Sequence, residues 1–216
     1  MADYWVFGYG SLMWQPHFSY LEVEPALLLG AHRAPCVYSV VHRGSRARPG
    51  LVLGLDAGGQ CQGLAFRVAP DAAHQIRAEL KKREQVTLVY RDAIRWIKIL
   101  DGSGRGVRAL CFLMDRSHPQ YAGSLPLDTQ AWLVRKGFGR AGRNIDYIIS
   151  TLEHLEEMGI HDPILTRLVN VLCPRRLPRP QDLTKRSVRL YRSYGVLKPV
   201  PRPGRSLLKV NGVQQA

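Results

Sequence analysis

The 216-residue chain is predicted to fold as an α+β domain. Short apolar or alternating runs fill about its first hundred residues, and amphipathic segments with helical spacing fill the stretch that follows. Strands and helices are segregated along the chain rather than alternating, which argues against a doubly wound parallel sheet. There is no internal repeat.

The elements follow in order. Tyr4-Trp5-Val6-Phe7 has the aromatic and β-branched composition of a buried strand and stops on Gly8-Tyr9-Gly10-Ser11. Residues 26–29, 36–41, 51–55 and 63–68 read as further strands. Asp56-Ala57-Gly58-Gly59 separates the last two and predicts a hairpin. Residues 71–82 predict a helix: Pro70 suits a first turn, Asp71 favours the positive end of the dipole, and Ala72, Ile76 and Leu80 form a narrow apolar stripe. Residues 94–100 and 107–114 make a second hairpin around Asp101-Gly102-Ser103-Gly104. Three helices then follow, over 128–136, 145–158 and 163–172; the middle one places Ile145, Ile148, Ile149, Leu152 and Leu155 on one face.

Charge separates the chain into two parts. It carries 31 Lys or Arg against 17 Asp or Glu, a net of +14. Eleven of those bases, one acid and six of the fourteen prolines lie from Pro174 onward, so the tail holds +10 and residues 1–173 only +4. Such a composition buries little core of its own. The expected organisation is a domain over 1–173 and a basic, Pro-rich extension over 174–216. The extension is a solvated appendage or a contact for an anionic surface such as nucleic acid, a membrane or an acidic partner.

No targeting segment and no apolar run of about 18 residues is present, which predicts a soluble, cytoplasmic protein with no membrane span. Cys36, Cys61, Cys111 and Cys173 are widely spaced and read as reduced core residues. Neither they nor the seven histidines show zinc spacing, so no metal is expected.

Two segments point to chemistry. A strand that empties into Gly-x-Gly-Ser leaves backbone amides free to approach an anion or a developing oxyanion, although a turn that binds nothing has the same sequence. It is not a dinucleotide fingerprint, because the third glycine is missing. Glu84, in Lys81-Lys82-Arg83-Glu84, stands where a helix gives way to an extended segment; by composition alone it belongs to a solvated charge cluster.

Together these segments resemble the ChaC-type γ-glutamylcyclotransferases. The run from Trp5 to Trp14 is similar to that family's signature, and Lys82-Arg83-Glu84 to its Arg-Glu motif. Further matches are His42-Arg43-Gly44, His118-Pro119-x-Tyr121 and Gly142-x-Asn144-x-x-Tyr147, so the resemblance spans residues 4 to about 172. It implies a γ-glutamylcyclotransferase-like small closed β-barrel with surrounding helices, a small-molecule substrate and no cofactor. It further implies that Glu84 is the catalytic base, and that Val6, Phe7, Gly8, Tyr9, Gly10, Ser11, Leu12 and Tyr147 hold the γ-glutamyl group. The reaction implied is cleavage of glutathione to 5-oxoproline and Cys-Gly. Other γ-glutamyl peptides or amines are the alternative substrates, and a retired scaffold working through its basic tail is the non-enzymatic alternative. Gly139-Arg140-Ala141-Gly142 departs from the Ser-Gly-Pro expected in relatives, which bears on the pocket rim. Asn144 is expected as a helix N-cap. Tyr147 is read as a hydroxyl donor or as core packing, His42 and Arg43 as pocket mouth or exposed loop, and Trp5 and Trp14 as core or rim aromatics.

Overall fold

In the computed structural model the described residues are 4–84 and 88–174, with the side chains of Arg83 and Glu84 outside that description. The expected extension therefore lies, beyond Pro174, outside the described residues. So do Gln85, Val86 and Thr87.

Five strands close into a barrel: β1 (Tyr4–Gly8), β2 (Glu22–Ser39), β3 (Gly50–Val68), β4 (Tyr90–Ile99) and β5 (Gly106–Met114), in the order β1-β3-β2-β4-β5. Neighbours are antiparallel except at the closure, where β5 runs parallel to β1 with Trp5 opposite Ala109 and Val6 opposite Leu110, and touches β3 in parallel with Leu55 opposite Leu113. Helix α1 (Ala73–Glu84) lies between β3 and β4. Helices α2 (Leu127–Lys136), α3 (Asn144–Glu157) and α4 (Pro163–Leu172) follow β5, with a small hairpin of β6 (Phe138–Gly139) and β7 (Gly142–Arg143) between α2 and α3. The closed barrel with surrounding helices is the architecture expected. Among the described residues no helix is long and apolar enough to cross a membrane.

Alternation along β1 divides the core. Trp5 and Phe7 join a cluster shared with Ala131, Ile148, Leu155 and Leu165 of the three C-terminal helices, whereas Val6 joins Phe66, Leu110 and Phe112 under Ile76 and Leu80 of α1. Cys36, Cys61 and Cys111 are free and buried; burial pushes their thiols up to about 12, about 11 and about 12. They are packing residues, not nucleophiles.

Two expectations are corrected. Residues 26–29 and 36–41 are not separate strands but parts of the single β2, which stops at Ser39. Residues 51–55 and 63–68 are likewise one strand, β3, with no hairpin at Asp56-Ala57-Gly58-Gly59. β2 and β3 pair with each other along their whole lengths, from Glu22 opposite Arg67 to Ser39 opposite Gly50. The supposed turn glycines act at one rung: Gly30, at φ 80°, faces the stretch containing Gly58 and Gly59, at φ 93° and 69°, so a bulge bends both strands together. A second register shift follows Pro35, where the missing N–H is tolerated.

Asn144 is also corrected: it is the first residue of α3, completely buried, and does not cap it. Its Oδ1 accepts the Leu51 N–H at 2.6 Å and its Nδ2 donates to the Leu51 carbonyl at 2.9 Å, so one side-chain amide ties α3 to β3 as a strand neighbour would. Asn144→Ala leaves both Leu51 groups buried without partners and is expected to cost about 2–4 kcal/mol in urea unfolding.

On the same helix, burial and then repulsion from Glu157 and Glu156 push the Glu153 carboxyl up to about 7. A carboxyl with a higher pKa folded than unfolded favours the fold while protonated. That contribution is full below the unfolded value of about 4.3 and is lost as pH rises through 7. Glu153→Gln is expected to leave thermal stability unchanged below about pH 4 and raise it above pH 7. The gain is about 1 kcal/mol, since solvent screens a partly exposed group.

Candidate active site

A cavity of about 480 Å³ opens at one end of the barrel, within the usual range for small-molecule sites. Its walls come from the turn after β1 (Tyr9, Gly10, Ser11, Leu12, Gln15), the end of β2 and the loop beyond it (Val37 to Arg43), Val52 and Leu53 of β3, Val89 and Tyr90, and Gln120, Ala141 and Tyr147. Among these described lining residues there is no carboxylate.

The turn after β1 folds into a single 3-10 turn, Ser11–Met13, whose Met13 N–H donates to the Gly10 carbonyl at 2.9 Å. It is pinned at both ends. Trp14 stacks on His154 of α3 with ring centroids 4.4 Å apart, and a 2.6 Å hydrogen bond links His154 Nδ1 to the Ser150 carbonyl. At the other end Arg33 of β2, 5% exposed, donates from Nε to the Tyr9 carbonyl at 2.6 Å and from Nη2 to the Gln62 carbonyl at 2.8 Å. Its Nη1 meets Asp162 Oδ2 at 3.0 Å. Asp162 is itself buried and caps α4, its Oδ1 accepting the Ile164 and Leu165 N–H groups.

The opposite wall is largely backbone. Leu53 stands between two hydroxyls that line the cavity: Tyr90 donates to its carbonyl at 2.8 Å, and its N–H donates to Tyr147 at 3.4 Å. Arg43 lies with its guanidinium carbon 5.3 Å from the Tyr147 ring centroid and donates to the Ala141 carbonyl; burial lowers its pKa from the ordinary arginine value. Ser39 accepts the Arg43 N–H at 2.9 Å. Four glycines make this approach possible. A Cβ on Gly44, Gly50, Gly137 or Gly139 would collide with backbone atoms of the crossing segments.

Behind that wall, Asp56 accepts from Tyr121 at 2.9 Å and from Arg116 at 2.7 Å. Burial alone would raise the Asp56 carboxyl, but hydrogen bonds from Arg116, Tyr121 and the Ala57 amide outweigh it and hold it below the usual carboxylate range. This cluster fixes the segment that carries Gln120, whose Nε2 donates to the Tyr38 carbonyl at 2.7 Å.

Of the residues expected to hold substrate, the structure brings Tyr9, Gly10, Ser11, Leu12 and Tyr147 together around the cavity, with His42 and Arg43 beside them. Val6 and Phe7 do not line it: each is wholly buried, on opposite faces of β1. Gly8 does not line it either; a Cβ there would meet Leu12 Cβ and Phe66 Cε2 at 3.2 Å, so its bareness serves packing. Gly10 is the glycine with open space beside it. Arg140 is exposed, and its neighbour Ala141 forms the rim. The Glu84 side chain lies outside the described residues. Its backbone ends α1, and Val89, five residues on, is already in the cavity wall, which bounds their separation at about 18 Å. Arg33, Asp162, Gln15, Gln120, Tyr38, Ser39 and Tyr90 escaped the sequence reading. Only Asp162 carried a signal, an Asp immediately before the Pro that opens a helix.

A family model described as ChaC-like protein matches residues 4–173. The chain belongs to the ChaC-like family. Among its curated relatives is a glutathione-specific gamma-glutamylcyclotransferase of Escherichia coli (strain K12), 35% identical over 165 residues, spanning 76% of this chain and 71% of that protein. A relative of the same description from Schizosaccharomyces pombe is 31% identical over 185 residues, spanning 73% and 87%. The fold matches a crystal structure of a glutathione-specific γ-glutamyl cyclotransferase from yeast with a TM-score of 0.72. That match is at 22% identity and covers 82% of this chain and 98% of that one.

The packing around the glycine turn makes a testable demand. A Cβ on Gly63 of β3 would overlap the Gly8 carbonyl oxygen and press on the Phe7 ring. Gly63→Ala is expected to destabilise the fold by about 2 kcal/mol and, by displacing the turn, to weaken ligand binding at a site it does not line. Paired urea melts and calorimetric titration check both.

Proposed function

We propose that the chain is a γ-glutamylcyclotransferase that cleaves glutathione to 5-oxoproline and Cys-Gly. The observation that carries this reading is the cavity itself: the Tyr9-Gly10-Ser11 turn faces Tyr147 and Arg43 across a small-molecule space, in a chain of a family whose relatives bear that activity in their names.

The substrate carries its own nucleophile. The α-amine of the γ-glutamyl group attacks the γ-carbonyl carbon, forming the carbon–nitrogen bond of a five-membered lactam and pushing the carbonyl electrons onto oxygen. The tetrahedral oxyanion then collapses and expels the cysteinyl nitrogen. Holding the flexible chain in the folded pose supplies much of the acceleration, since well-oriented intramolecular reactions reach effective molarities of about 10⁵ M or more. A base must take the ammonium proton, and the same group returns a proton to the leaving nitrogen. The described wall offers hydroxyls, amides, His42 and Arg43 but no carboxylate; Glu84, the last residue of α1, is assigned the proton on the resemblance of Lys82-Arg83-Glu84 to the family's Arg-Glu motif. Backbone amides of the glycine turn serve the oxyanion, and Arg43 supplies positive charge for a substrate carboxylate.

The substrate is a small molecule, and the enzyme is placed in the cytoplasm, where its four free cysteines stay reduced. Incubation with glutathione and with several γ-glutamyl dipeptides, followed by measurement of 5-oxoproline, is expected to show release from glutathione. Glu84→Gln is expected to lower kcat by at least about 100-fold without changing the melting temperature. Near-native turnover in that variant removes Glu84 from the mechanism.

A further inference from the structure

An oxyanion donor is only as good as its aim, and the structure contains a device for aiming one. We propose that Arg33 is a positioning residue for the cyclisation, acting through the Tyr9–Gly10 peptide unit. This inference rests on the cyclotransferase reading above.

In a planar trans peptide the carbonyl and the N–H point in opposite directions. The carbonyl of this unit belongs to Tyr9 and accepts the Arg33 Nε–H at 2.6 Å, so the N–H of the same unit, on Gly10, points away from the buried guanidinium. Gly10 lines the cavity, and among the described residues other than its chain neighbours no heavy atom comes within 4 Å of where its Cβ would stand. Among the described residues its amide donates to no acceptor. A donor without a partner among the described residues, beside open space in the cavity, fits a group kept for the developing oxyanion. Turned over, the same unit would set the Tyr9 carbonyl oxygen there and repel the charge it should stabilise.

Arg33 suits the task because it cannot easily turn. Its planar fork is held at three points, by the Tyr9 and Gln62 carbonyls and the Asp162 carboxylate, and Asp162 is in turn fixed by the first turn of α4. At 5% exposure, water competes little for these bonds. A lysine offers one ammonium in place of the fork and cannot meet three acceptors in one plane.

The test compares Arg33→Lys with the native enzyme and with Leu168→Ala, which opens a cavity in α4 without touching the fork. Arg33→Lys is expected to lower kcat for 5-oxoproline formation about 100-fold while KM changes less than about threefold, whereas Leu168→Ala keeps its kcat. The backbone amide resonance of Gly10 is expected to move when 5-oxoproline is added to native protein and to move far less in Arg33→Lys. If that variant does not fold, Asp162→Asn, which retains an N-capping side chain, is expected to lower kcat about tenfold at unchanged KM. A folded Arg33→Lys with kcat within twofold of native, a loss no larger than that of Leu168→Ala, or an unchanged kcat in Asp162→Asn overturns the inference while the cyclotransferase reading stands. A native protein that releases no 5-oxoproline from any γ-glutamyl compound overturns that reading, and the inference with it.

Discussion

Arg33 brings a full positive charge into the interior, and a chain that does so must surround it with acceptors or forfeit several kcal/mol. Here the acceptors come from three directions: the turn after β1, the facing strand β3, and the residue that caps α4. None of the three can shift without leaving one buried nitrogen of the guanidinium without its acceptor. The pair with Asp162 is therefore less a source of stability than a constraint on shape, because replacing both partners by apolar groups often costs little while removing one commonly costs about 3–5 kcal/mol.

A barrel of five strands gives this constraint something rigid to act against. β2 and β3 are both long enough to wrap the closed sheet because paired bulges bend them at the same rung. Their far ends deliver the loop with His42 and Arg43 to one side of the cavity, while closure of β5 onto β1 fixes the glycine turn on the other. Between these walls the contacts are mostly main-chain. Four glycines let three segments cross without side chains, Asn144 pairs with Leu51, and two tyrosine hydroxyls bracket Leu53. Such a site depends on backbone placement more than on the particular side chains that point into it.

The sequence disclosed the parts governed by local physics. Helix α4 begins and ends where the sequence reading places it, α2 and α3 agree within a residue, and the β4–β5 hairpin forms around the expected Gly-rich turn. Glycines misled where their meaning was tertiary. Gly58 and Gly59 look like a turn until Gly30 is seen opposite them, and that pairing spans almost thirty residues. Arg33 falls between two expected strands and goes unremarked, since nothing near it announces an acid 129 positions away. Asn144 looks like a cap because its true partner, Leu51, is 93 positions distant. The glycine turn itself was visible; which amide it spares and what holds it were not, because both depend on contacts far apart in the chain.

The separation between Arg33 and Asp162 has a consequence for how the protein comes into being. Arg33, the anchor of the glycine turn, and Asp162, the carboxylate that secures it and opens α4, stand 129 positions apart, and a loop of that length closes late and at an entropic cost. Until then the nascent chain holds a signature segment with nothing to brace it. The site is thus completed only when the domain is, so that an unfinished polypeptide carries no finished pocket.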